Sequence, residues 1–235
     1  MACDRLTGKS ALITGGGSGV GRATALRFAE EGATTIAVFD RDAAAASQTV
    51  AAVESLGARG IPLVGDVTSR TTCQSAVDEV VSVHGRLDVL ISNAGADGDA
   101  PFLEMTDEEW QRVMDVNLTA SFVLGQVAAR AMASDGQGGV ILYTASISGM
   151  GASDGDAHYG VSKAGIINLV QSTAAATIID LVKAAGIPTV FINREPTAED
   201  MQLWDKIAYV GADARQSGTF QGEIIAATEN KGDFN

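Results

Sequence analysis

Ser10-Ala11-Leu12-Ile13-Thr14-Gly15-Gly16-Gly17-Ser18-Gly19-Val20-Gly21-Arg22-Ala23-Thr24-Ala25-Leu26-Arg27-Phe28-Ala29 is the stretch whose pattern settles the fold. Its first five residues form a short apolar and β-branched run, the signature of a buried strand. The glycines that follow permit a tight turn, and Arg22 to Ala29 has helical periodicity. Strand, glycine turn and helix in that order predict a parallel α/β unit with a phosphate cradle. Free N–H groups at the helix start attract negative charge, and Thr14, Gly15, Ser18, Gly19, Val20 and Gly21 bring backbone close to a ligand.

Outward from this turn, strand and helix patterns alternate. Thr34 to Phe39 is a second strand that ends in Asp40, nineteen residues after Gly21. A carboxylate there accepts hydrogen bonds from adenosine ribose hydroxyls and repels a 2′-phosphate, which favours NAD over NADP. Arg41 follows directly and softens that repulsion. Ala43 to Leu56 predicts an alanine-rich helix, and Ile61 to Gly65 a third strand ending at Asp66-Val67. A helix with Val77, Val80 and Val81 on one face covers Ala76 to Val83, and Leu87 to Ser92 is a fourth strand closed by Asn93-Ala94-Gly95. Thr106-Asp107-Glu108-Glu109 is a capping-box signal, so a long helix is expected from there towards Ala133. Val140 to Thr144 makes a fifth strand, just before Ser146. Gly95 to Ala100 and Gly149 to Asp156 have the composition of mobile loops. The expected fold class is α/β, a Rossmann-like doubly wound parallel sheet in three α/β/α layers forming one domain. Functional residues then lie beyond the carboxyl ends of the strands, where Asp66, Asn93 and Ser146 fall.

Composition narrows the function classes. With 235 residues and 46% hydrophobic side chains, the chain can bury the core of one domain. A net charge of −13, a pI near 4.4 and no basic stripe argue against nucleic-acid or anionic-membrane partners. Cys3 and Cys73 are too few for a disulfide framework, and His84 and His158 form no metal-ligand cluster with them. No apolar run reaches membrane-spanning length, and a cytoplasmic setting is expected.

The chemistry is carried by Tyr159 and Lys163, four residues apart, with Ser146 thirteen residues before the tyrosine. On a helix that spacing shares one face, so an ammonium can sit beneath a phenol. A nearby positive charge lowers a tyrosine pKa from its ordinary value of about 10 and prepares it for proton exchange near neutral pH.

Taken together, Thr14-Gly15-x-x-x-Gly19-x-Gly21, Asp66-Val67, Asn93-Ala94-Gly95, Asn117, Ser146 and Tyr159-x-x-x-Lys163 resemble the short-chain dehydrogenase/reductase family over about Leu6 to Ser172. The resemblance implies that Asp66 contacts adenine and that Asn93-Ala94-Gly95 packs beside the cofactor. It implies Tyr159 as general acid/base, Ser146 steadying the substrate oxygen, and Lys163 holding the nicotinamide ribose and tuning the tyrosine. Asn117 then positions a water in a proton relay. Each residue also has a structural alternative: Ser146 as a turn cap, Asn117 satisfying backbone groups in a bent helix, Asp66 as a helix cap. The resemblance further implies a small alcohol or ketone substrate and a homo-oligomeric assembly.

The remainder departs from that pattern. Gly186 to Pro196 contains a strand, but Thr197 stands where the family has a glycine after proline, and Glu199 adds charge. Thr173 to about Ala227 instead resembles part of a periplasmic sugar-binding protein of the galactose/glucose type. The residues carrying this are Ala174 to Asp180, Val190 to Pro196, Tyr209 to Asp213 and Gln216 to Glu223. A chimeric seam is thereby expected between about Ile166 and Ala176, with residues 1–172 catalytic and 173–235 completing the same domain through a strand at Ile207 to Val210 and a helix from about Asp213. The rival reading is a non-catalytic sugar-binding or scaffold chimera, or an NAD binder with an impaired substrate pocket.

Overall fold

Ser10–Thr14 forms a fully buried strand, β1, and the glycine turn leads into α1 at Gly19–Glu30. The computed structural model describes residues 5–134, 136–151, 154–173, 189–192 and 207–210. Then follow β2 (Thr35–Asp40), α2 (Ala43–Ser55), β3 (Arg59–Val64), α3 (Arg70–His84) and β4 (Val89–Ser92). The second half holds α4 (Asp107–Met114), a π-helical turn (Asp115–Thr119), α5 (Ala120–Ser134), β5 (Val140–Tyr143), a 3-10 turn (Ile147–Gly149) and α6 (Ala157–Thr173). Five strands pair in parallel in the order β3-β2-β1-β4-β5, with Leu12 beside Ala37 on one side and Leu90 on the other. The chain leaves the β3 edge to place β4 on the far side of β1. Strand order therefore reverses beside β1, and a crevice opens there beyond the carboxyl ends.

Side-chain alternation along each strand separates two apolar layers. Ala11, Ile13, Ile36 and Val38 point to the face covered by Ala25 and Ala29 of α1 and Val50 and Val53 of α2. Leu12, Ala37, Phe39 and Leu90 point to the other face, against Val77 and Val80 of α3 and Leu124 and Val127 of α5. Each fully buried large side chain of this kind contributes about 1.5–3 kcal/mol. The doubly wound three-layer architecture expected from the sequence is the one observed.

Three local expectations need correction. α3 begins six residues earlier than its apolar face suggested, because the Ser69 hydroxyl accepts from the Thr72 amide and caps it. Asp66 is thus not the cap of this helix. The long helix after Thr106 is interrupted at Asp115–Thr119, where one wider turn carries Asn117 into the interior. The capping box is half formed: Thr106 accepts from the Glu109 amide, but the Glu109 carboxylate is drawn to Arg112 instead of back to the helix start. Among the described residues no helix is long and apolar enough to cross a membrane.

The chain forms two compact units, residues 1–170 and 171–235. In the second, β6 (Thr189–Ile192) pairs in parallel with β7 (Ile207–Val210), Thr189 opposite Ile207. The strand expected at Ile207 to Val210 is present. Cys3, Pro196, Thr197, Glu199 and the helix expected from Asp213 lie outside the described residues.

The amino-terminal ends of the strands are held by Asp88, which is 5% exposed. It accepts from the Ser10 amide at 2.9 Å and lies 2.9 Å from Arg86 Nε and 3.3 Å from Lys9 Nζ. Burial alone raises the Asp88 pKa, but the Ser10 amide, Lys9 and Arg86 outweigh it and hold the carboxyl below its usual range. A depressed folded pKa gives stability that is complete above the unfolded value of about 3.9 and is lost as pH falls through the folded one. Asp88→Asn should therefore lower Tm at pH 7, at a cost of about 1–3 kcal/mol. The gap to the unmodified protein should close as pH falls below about 4. Thermal unfolding followed across pH checks this, and a gap independent of pH would refute it.

Candidate active site

At the carboxyl ends, Thr14 binds the neighbouring strand's exit. Its hydroxyl accepts from the Asn93 and Ala94 amides at 2.9 and 3.0 Å, while Asn93 Nδ2 donates to the Thr14 carbonyl at 3.2 Å. Thr144, just after β5, donates to Asn93 Oδ1 at 3.1 Å, so one asparagine ties three strand ends together. Gly15 has φ +62°, and a side chain there would stand 3.0 Å from the Ala94 backbone. Gly21 lies against the Gly15 carbonyl. Gly19 differs: it has φ +50° and, among the described residues, nothing within 4 Å of where a side chain would project.

Ser18, Gly19 and Val20 are exposed, and the start of α1 has neither a side-chain cap nor an acidic residue in its first turn. Its free amide groups therefore face an open approach, which suits the pyrophosphate of a dinucleotide. Asp40 stands beside this turn. It accepts from the Gly17 amide at 2.9 Å and from the Asp42 amide at 3.0 Å, leaving further lone pairs for ribose hydroxyls. Asp66 accepts from the Thr68 amide and hydroxyl, both at 2.8 Å. Those bonds, with a smaller pull from Arg41, hold its carboxyl below the usual range. Val67, Thr14, Ala94 and Val116 lie together beside these strand ends. The residues present thus fit an adenine dinucleotide.

The second cluster gathers on α6. Lys163 is 4% exposed; its Nζ donates to the Thr144 carbonyl at 2.9 Å and lies 5.5 Å from the Tyr159 ring centroid. Burial lowers the Lys163 pKa from its ordinary value. Asn117 is fully buried, accepts from the Ala96 amide at 2.7 Å and donates to the Ala96 carbonyl at 3.0 Å and to Ser162 Oγ at 2.9 Å. Ser162 in turn donates to the Tyr159 carbonyl at 2.7 Å. A side chain at Gly95 would meet Asn117 Oδ1 at 3.4 Å and Lys163 Nζ at 3.8 Å. Ser146 accepts from the Ser148 amide at 3.2 Å and starts the 3-10 turn. That turn rests on α6, where Gly160 would meet the Ser148 carbonyl and Gly149 the backbone of Lys163 and Ala164 if either carried a side chain.

The structural alternatives for Ser146 and Asn117 are therefore realised as contacts: one caps a turn and the other satisfies backbone groups. Those same contacts bring Asn117, Tyr159, Lys163 and the Ser146 turn to one end of the sheet. Gly95 to Ala100 is tied at both ends, by Asn117 at Ala96 and by a bond from the Ala100 amide to the Gly155 carbonyl. Thr144 and Ser162 were not singled out from sequence. Ser162 was within reach, lying three residues after Tyr159 on one helix face, whereas nothing local marks Thr144.

A family model described as short chain dehydrogenase matches residues 9–203. The chain belongs to the short chain dehydrogenase family. An L-rhamnose 1-dehydrogenase (NAD(P)(+)) of Sphingomonas sp. is 34% identical over 207 residues, covering 88% of this chain and 82% of the relative. A 3-oxoacyl-(acyl-carrier-protein) reductase of Thermotoga maritima is 38% identical over 193 residues, covering 82% and 78%. Among solved structures, a 7α-hydroxysteroid dehydrogenase complexed with NADH and 7-oxo glycochenodeoxycholic acid superimposes with a TM-score of 0.72 at 34% identity, covering 81% of this chain and 72% of that one. These relatives are oxidoreductases. The chain's family match runs past the seam expected near Ile166 to Ala176, and the sugar-binding resemblance of the tail finds no support in these comparisons.

Proposed function

We propose that the protein is an NAD(H)-dependent oxidoreductase that interconverts a secondary alcohol and a ketone. The observation that carries the reading is the buried Lys163, placed by Thr144 and Gly95 beneath Tyr159 at the end of the sheet where the glycine turn opens. Thr14, Gly15, Ser18, Gly19, Val20 and Gly21 would hold the pyrophosphate, and Asp40, Arg41, Asp66, Val67, Asn93, Ala94 and Gly95 the adenosine side and its surroundings. The bound nicotinamide supplies or accepts the hydride. Tyr159 gives a proton to the ketone oxygen or takes one from the alcohol, Ser146 steadies that oxygen, and Lys163 favours the phenolate by its charge. Asn117 holds the backbone around Ala96 and, through Ser162, the backbone carbonyl of Tyr159, and would position a water in a proton relay. A reducing, cytoplasmic setting is supported by the scarcity of cysteine.

The reading is tested by titrating NADH and NADPH and then assaying a panel of alcohols and ketones. NADH should bind roughly tenfold to a hundredfold more tightly, since a 2′-phosphate placed beside Asp40 meets like-charge repulsion. Asp40→Ser should bring the two affinities together. Equal affinities in the unmodified protein would remove the NAD assignment, and no cofactor-dependent turnover on any alcohol or ketone would remove the function.

A further inference from the structure

His158, immediately before Tyr159, is 0% exposed, and among the described residues neither of its ring nitrogens meets a hydrogen-bond partner. Glu109 Oε1 lies 3.5 Å from its Nε2. Burying an imidazole in this way costs stability that an apolar side chain of similar size would avoid. The ring therefore has a use other than filling space.

Its neighbours show what that use is. Arg112 holds the Glu109 carboxylate with two bonds, at 2.8 and 2.6 Å, and donates to the Asp97 carbonyl at 2.7 Å. Gly98, the next residue, is pressed into the gap: a side chain there would overlap the His158 ring and stand 2.6 Å from Glu109 Oε1. The segment that begins at Gly95, beside Lys163 and Asn117, is thus caught between α4 and the head of α6. We propose that His158, Glu109 and Gly98 form a latch that joins this segment to the head of α6 and so positions Tyr159. The proposal rests on the reading of Tyr159 as the acid/base. His158 is a positioning residue: it acts through Tyr159 and Gly95.

Amide hydrogen exchange of residues 96–100 in the cofactor-free protein reads the latch directly. His158→Ala should speed that exchange about tenfold, the change expected when the ring packed against Gly98 is removed. His158→Gln, which keeps a donor facing Glu109, should restore most of the protection. Gly98→Ala should mimic His158→Ala, since its methyl group displaces the ring without removing it. In assays, His158→Ala and Gly98→Ala should lower kcat about tenfold or more, with NADH affinity within about twofold of the unmodified protein. If His158→Ala fails to fold, His158→Gln and Gly98→Ala carry the test.

Unchanged exchange, or unchanged kcat in an active protein, overturns the proposal. If the unmodified chain turns over no alcohol or ketone, the functional reading fails separately. Exchange and an unfolding double-mutant cycle between His158 and Glu109 then decide the latch: coupling upholds it, additivity overturns it.

Discussion

Tyr159→Phe is expected to reduce turnover by about 10² to 10⁴ while leaving NADH affinity nearly unchanged. The substitution keeps the ring and removes only the exchangeable proton, so the fold around α6 has no reason to move. Lys163→Ala should behave differently. Its ammonium is buried, bonded to the Thr144 carbonyl and placed close to Gly95, so removing it deletes a charge and opens a space at once. Both cofactor affinity and turnover should fall. Burial also lowers the Lys163 pKa, so its charge is lost at a lower pH than that of an exposed lysine. Steady-state kinetics paired with NADH binding separates the two variants. Full turnover by Tyr159→Phe would dismiss the acid/base assignment.

Gly21→Ala should damage both stability and cofactor binding. A β-carbon there would overlap the Gly15 carbonyl and stand 2.8 Å from Asn93 Nδ2, and Gly15 is itself constrained by the Ala94 backbone. Backbone cannot rotate away as a side chain does, so the turn must shift. A cost of about 1–3 kcal/mol follows, a fall in Tm of several degrees for a chain of this size. The first-turn amides of α1 move with it, and NADH affinity should drop about tenfold or more. Gly19→Ala offers the contrast. Among the described residues nothing lies within 4 Å of where its side chain would project, so the effect of the substitution there is confined to about 1 kcal/mol of backbone strain at positive φ. If the open space before Gly19 is where pyrophosphate approaches, its substitution should weaken NADH binding more than it lowers Tm. Measuring both quantities for both variants tells a packing glycine from a ligand-facing one. An unaltered Tm for Gly21→Ala would contradict the packing argument.

Much of the molecule follows from signals a few residues long. The alternation of Ala11, Leu12 and Ile13, the glycines after Thr14 and the spacing of Tyr159 and Lys163 each act through neighbours at one to four positions, which a sequence displays directly. Those signals sufficed for the strands, their alternation with helices and the carboxyl-end placement of Asp66, Asn93 and Ser146. The interactions that assemble the candidate site join residues 20 to 80 positions apart, such as Thr14 with Asn93, Asn117 with Ala96 and Asn93 with Thr144. No local pattern encodes them. The π-helical turn at Asp115–Thr119 accompanies the bonds of Asn117 to Ala96 and Ser162, and the Glu109 carboxylate is bonded to Arg112. Local chemistry therefore determined which elements form and which residues carry reactive groups. Tertiary structure alone decided which side chains meet, because the burial that makes a hydrogen bond obligatory arises only when distant segments close over it.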